Sequence, residues 1–256
     1  MFELLKIIET GKKFGNMNLN KNFFPEGLSS DEIKEIFMKS REMAGKYYGF
    51  DGHKMYMADQ SHKSGTYFEI SKDYVEAYPN GWTSIPEDIL LISDNVPGVV
   101  IGHAVADCPV IMMSDIRNGV TAIAHCSAEL IDKRMPMMIA DALLDAYSSK
   151  DEDIVTYVGA FAGSEWTYDR FPIWANDKKM WEKGIYMGDD DFFHIDMKRV
   201  IMEQMMERNI DKVAFSPYNT ITNANFYSNS LARVNPDKAG RHFCGAFYEE
   251  EKVKSK

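Results

Sequence analysis

Val99-Val-Ile-Gly-His-Ala-Val105, the break Ala106-Asp107-Cys108, and then Pro109-Val-Ile-Met-Met113 decide the fold. Two short apolar runs, separated by a polar step, predict two buried strands. Arg117-Asn118-Gly119 then predicts a hairpin, because Asn-Gly readily takes the positive φ values of a primed turn. Val120-Thr-Ala-Ile-Ala124 is the expected return strand.

Working outward, Ser29 and Glu32 form a capping-box pattern ahead of Ile33, Ile36, Phe37 and Ala44, which predicts a helix ending near Gly49. Met55 to Ala58 predicts a strand running into Gln60-Ser-His62, while residues 71–97 read as irregular. A helix is expected over Pro136 to Tyr147, and another from the cap Asp196 through Arg208. Further strands are expected at Asp153–Gly159, Lys212–Phe215 and Phe243–Tyr248, and a short amphipathic element at Met1–Lys12. Strands and helices intermix, so the class is α/β or α+β. No linker divides the chain, which predicts one domain over residues 1–256.

The formal charge of -10 disfavours a nucleic-acid partner. No long apolar run predicts a membrane span. The three cysteines are widely spaced and no secretion signal is evident, so the expected compartment is the reducing cytoplasm.

The chemistry-bearing residues gather around the hairpin. Cys108 precedes one strand and His125 ends its partner, so antiparallel return puts both at one end. Pro109 holds Cys108 away from helical angles. A thiolate and an imidazole so placed suit either a zinc site or a Cys-His nucleophile pair. His62, at the end of its own strand, is the candidate third ligand of an open zinc site. Asp107 suits structural or acid-base use. Arg233 and Arg241 are candidate phosphate clamps, since a guanidinium presents a planar fork to phosphate oxygens. Cys126, Cys244 and His103 read as core residues, and the 17 methionines as core filler.

Ala106-Asp107-Cys108-Pro109 and Ala124-His125 resemble the Ala-Asp-Cys-x-Pro and Ala-His signatures of the YfiH-like laccase-domain family. Gln60-Ser-His62, Asn18-Leu19, Val158-Gly159, Phe226-Tyr227-Ser228 and Gly240-Arg241 resemble its other elements, in the family's order. The resemblance implies a single α/β domain with stacked mixed sheets flanked by helices, similar to a cysteine hydrolase fold. It implies zinc held by His62, Cys108 and His125, with catalytic roles falling to Cys108, His125 and Asp107. Asn18, Arg233 and Arg241 are then the substrate contacts. The implied activities are purine nucleoside phosphorylase and adenosine deaminase, on adenosine, inosine or methylthioadenosine, with phosphate as co-substrate. The family has also been named polyphenol oxidase, but a multicopper cluster is disfavoured by six histidines with no His-x-His pair. One departure stands out. The family's Ala-His-Ala-Gly-Trp-Arg-Gly reads Ala124-His-Cys-Ser-Ala-Glu-Leu130 here. It motivates one alternative, a degenerate protein that binds a nucleotide or a partner; the Cys108–His125 pair itself leaves open another, a metal-free Cys-His amidase.

Overall fold

The computed structural model describes residues 5–58, 66–81 and 84–249. The first half runs β1 (Leu5–Glu9), α1 (Ser30–Tyr48), β2 (Met55–Ala58), β3 (Tyr67–Glu69), α2 (Lys72–Ala77), β4 (Ser84–Ile85), β5 (Ile89–Ser93), β6 (Val100–Val105), β7 (Val110–Asp115) and β8 (Val120–His125). The second half runs α3 (Ala128–Asp132), α4 (Met135–Tyr147), β9 (Ile154–Val158), β10 (Thr167–Tyr168), α5 (Lys178–Trp181), β11 (Ile185–Met187), β12 (Phe193–Ile195), α6 (Met197–Glu207), β13 (Val213–Phe215), α7 (Asn229–Ala232) and β14 (His242–Tyr248).

Two mixed sheets carry the fold. One has the order β1-β14-β6-β2-β4 and the other β13-β9-β7-β8-β5-β3; β10, β12 and β11 form a small antiparallel sheet. Ile101 and Val105 of the first large sheet pack with Val110, Met112 and Ile123 of the second, so the two sheets stack face to face. The alternate residues Ile111, Met113, Ala122 and Ala124 face outward against Ile139, Leu143 and Ile201 of α4 and α6. On the far side, Val100, Ala104 and Phe247 pack against Ala44 of α1. The result is a single mixed α/β domain, layered helix, sheet, sheet, helix. Covering both faces of each sheet explains why β6, β7 and β8 are buried at every position rather than alternating.

The local signals hold where they are self-contained. Ser29 and Glu32 form the reciprocal capping box of α1, and Gly49 ends it at φ +88°. Asp196 caps α6 through the Arg199 N–H. The hairpin departs from expectation. Asp115 pairs with Val120, leaving residues 116–119 as the turn, and only Gly119 takes a positive φ, +63°. Asp115 Oδ1 accepts from the Arg117 and Asn118 N–H groups at 2.9 and 3.0 Å and orders the loop instead. Residues 71–97 are not irregular throughout, since they contain α2 and the fully buried β5. A strand covered on both faces loses the period-two alternation by which it would be recognised. No helix among the described residues is long and apolar enough to cross a membrane.

His242 is sealed in the core, and burial holds its pKa down at about 4 against an ordinary 6.5. The unfolded chain therefore takes up a proton near pH 6.5 that the folded chain refuses until about pH 4. Stability should fall as pH drops through that window, by roughly 3 kcal/mol from this one group. Denaturant unfolding at neutral pH and at about pH 4 measures the loss. His242→Gln should show a smaller acid loss; an equal loss in the variant would assign the effect to other groups.

Candidate functional site

Cys108 lies in the bend between β6 and β7, and His125 ends β8. Val110 pairs with His125, and the Cys126 N–H donates to the Pro109 carbonyl at 2.8 Å. Both candidate donors therefore stand at one end of the hairpin. The His125 ring lies 6.2 Å from that of His103, which is buried on β6. His62 lies outside the described residues, as does the whole Gln60-Ser-His62 segment. Among the described residues no three metal-capable side chains form a group. The two donors that are described, a soft thiol and an imidazole, are the chemistry that zinc takes.

Asp107 anchors the bend. Its backbone takes φ +75°, a left-handed conformation that Asp tolerates better than most residues. Its carbonyl accepts from the Ala162 N–H at 2.8 Å. Its carboxylate accepts from the Thr220 hydroxyl at 2.7 Å, the Ser228 hydroxyl at 3.1 Å and the Ser230 N–H at 2.7 Å. With both carboxylate oxygens engaged inside the protein, the arrangement suits positioning of Cys108.

Cys108 keeps part of its surface at the solvent boundary. Even so, its dense surroundings and the Asp107 carboxylate push the thiol up to about 12, with the Arg241 guanidinium opposing. Arg241 enters β14 from Gly240. Its guanidinium lies 4.4 Å over the Phe23 ring and donates to the Gly240 carbonyl at 2.8 Å and to Asn229 Oδ1 at 3.2 Å. Burial lowers its pKa, while Cys108 and Asp107 raise it. Asn16 Oδ1 accepts from the Arg241 N–H at 2.9 Å, and the Met17 N–H donates to the Arg241 carbonyl at 2.9 Å. That pairing brings Asn18 alongside, with its own Oδ1 held by the Asn20 N–H at 2.8 Å. Arg233 is exposed, just past α7, and its charge acts on Tyr168.

Two neighbours carry no sequence signal. Glu129 on α3 acts electrostatically on Cys108, and Cys108 acts on Tyr168 of β10. They reach it only because the segments after His125 and before β11 fold back over the hairpin's end. The altered segment after His125 is itself structural: Ser127 caps α3, and Ala128 and Leu130 are buried in the core.

The chain is similar to solved structures of this architecture. The Bacillus licheniformis hypothetical protein YfiH superimposes with a TM-score of 0.75 at 17% identity, over 96% of this chain and 93% of that one. YlmD from Geobacillus stearothermophilus gives 0.74 at 17% identity, over 96% and 91%. The Neisseria meningitidis protein NMB0706, of the DUF152 group, gives 0.65 at 14% identity, over 96% and 91%. No curated protein matches the chain. The family described as multi-copper polyphenol oxidoreductase laccase matches residues 11–247, nearly the whole chain. The protein belongs to that laccase-like, YfiH-type family.

Proposed function

We propose that the protein is a zinc-dependent enzyme that cleaves purine nucleosides with phosphate or deaminates adenosine. The observation that carries this reading is the shared end of β7 and β8, where Cys108 and His125 stand, with the Arg241 charge acting on Cys108. Cys108 and His125 would hold the ion, with His62 as the third donor. When bound, zinc supplies Lewis-acid polarisation at neutral pH.

The chain's own residues supply the rest. Arg241, steadied on Phe23, uses two N–H donors within the protein; a guanidinium has five, and the others suit phosphate. Tyr168, packed with Trp166 and Trp174, offers an aromatic surface for the purine. In phosphorolysis a phosphate oxygen bonds to the ribose carbon, and the carbon–nitrogen bond breaks with its electron pair passing to the base. The base then needs a proton, and Glu129 is the carboxylate whose charge acts on both Cys108 and Tyr168. A metal-free Cys-His amidase is the second reading; burial and the Asp107 carboxylate raise the Cys108 pKa, which disfavours a free thiolate nucleophile in the absence of a metal.

The test is zinc-loaded protein with adenosine, inosine and methylthioadenosine, each with and without phosphate, followed by chromatography. Phosphate-dependent base release, or conversion of adenosine to inosine, is expected. Neither product from any substrate would overturn the reading.

A further inference from the structure

A cavity of about 490 Å³ opens where the end of β1 meets the C-terminal turn of α1. Glu9 forms part of its lining. Two groups of aromatic rings surround the carboxylate. Phe14, Tyr47 and Tyr48 pack edge to face or tilted on one side, with centroids 4.9 to 5.8 Å apart. Tyr157, Tyr218 and Phe226 line it on the other.

Glu9 Oε1 accepts from the Ala160 N–H at 2.6 Å. Oε2 accepts from the Tyr157 hydroxyl at 3.1 Å and from the Ser216 hydroxyl at 2.9 Å. The Tyr48 hydroxyl donates to the Glu9 carbonyl at 2.6 Å. Both tyrosine hydroxyls have thus spent their protons on Glu9, and what they can offer a guest is oxygen lone pairs. Burial holds Tyr48 up at about 12, so that donor role persists across the physiological range. Apart from the Lys13 ammonium and the Asn223 and Asn225 amides that also line it, the cavity presents ring faces, acceptor oxygens and one carboxylate. Its complement is a positive charge on a small apolar body.

The chain itself shows that these rings receive an ammonium group. Lys13 Nζ lies 4.1 Å from the Tyr47 centroid and 4.8 Å from that of Phe14, at the cavity's edge. We propose that this cavity is a binding site for a small organic ammonium ion with an alkylated head, which seats between the rings and Glu9 and displaces Lys13. The site is separate from the Cys108–His125 end and does not depend on zinc there.

Choline is the probe, and the neutral isostere in which carbon replaces its nitrogen is the control, both by titration calorimetry on the full chain. Choline should bind at least about tenfold more tightly than the isostere, the order that ring and carboxylate attraction to a cation supplies. Glu9→Gln should reduce that preference, leaving the part that the rings supply. Glu9 also ties three segments together, so Tyr47→Leu is the second variant. Tyr47 is 64% exposed, which makes its replacement safe for folding, and choline binding should weaken several-fold. Lys13→Gln should bind choline more tightly, because the competing ammonium is gone. Cys108→Ala should bind it unchanged. No choline binding at millimolar concentration, equal affinity for the isostere, indifference to Tyr47→Leu, or weaker binding by Lys13→Gln would each overturn the proposal.

Discussion

Cys108→Ala should lose its zinc and its nucleoside turnover together. The thiolate is the charged member of the proposed donor set, and a methyl group cannot replace it. Changes to the outer partners of a metal site already cost 10 to 100-fold in affinity, so loss of a ligand should exceed about 100-fold. Folding should survive, since the side chain lies at the solvent boundary and is not a core residue. Metal analysis after dialysis, turnover and circular dichroism measure the three effects on one sample. A variant that keeps stoichiometric zinc would remove Cys108 from the site. Chelation of the wild type separates the two enzymatic readings. Under the zinc reading it abolishes turnover, whereas a Cys-His amidase would lose activity in Cys108→Ala but keep it in chelator.

Asp107→Ala should be the costliest single change to the fold near the site. It deletes an acceptor serving Thr220, Ser228 and the Ser230 N–H, two of whose residues are fully buried. It also places a β-carbon without a polar partner at φ +75°. Lost charge-assisted hydrogen bonds, orphaned donors and left-handed strain together amount to about 3–5 kcal/mol. For a chain of this size that corresponds to a melting temperature lower by roughly 6–20 °C. Asp107→Asn should cost less, because it keeps one acceptor and still tolerates the left-handed backbone. Thermal and denaturant unfolding of both variants check the order. An alanine variant within about 1 kcal/mol of the wild type would mean that the anchor contributes little.

Both expectations separate what is local in the chain from what is not. The helix α1 was legible because Ser29, Glu32 and Gly49 act within a turn or two of backbone. The strands β6, β7 and β8 were legible as apolar runs with a turn signal between two of them. Cys108 and His125 could be brought together on paper because one hairpin joins them, and a hairpin's return fixes which ends meet.

Contacts between distant segments were a different matter. The strand β5 was lost because the stacking of two sheets and two helical layers hides its alternation, and that layering is itself a tertiary fact. Arg241 could be nominated from its residue type. Only the pairing of β14 with β6, and of Asn16 and Met17 with its backbone, sets its charge against Cys108. Asp107 stood out beside the cysteine, but its partners come from a loop and a short helix far along the chain. Tyr168, Glu129 and the Glu9 cavity carry no spacing signal at all. Local sequence determined α1, α4, α6, the strands β6 to β8 and the one pair of residues that a single turn connects. Burial and long-range pairing decided the rest, because charge, hydrogen bonding and ring packing between remote segments exist only once the layers close.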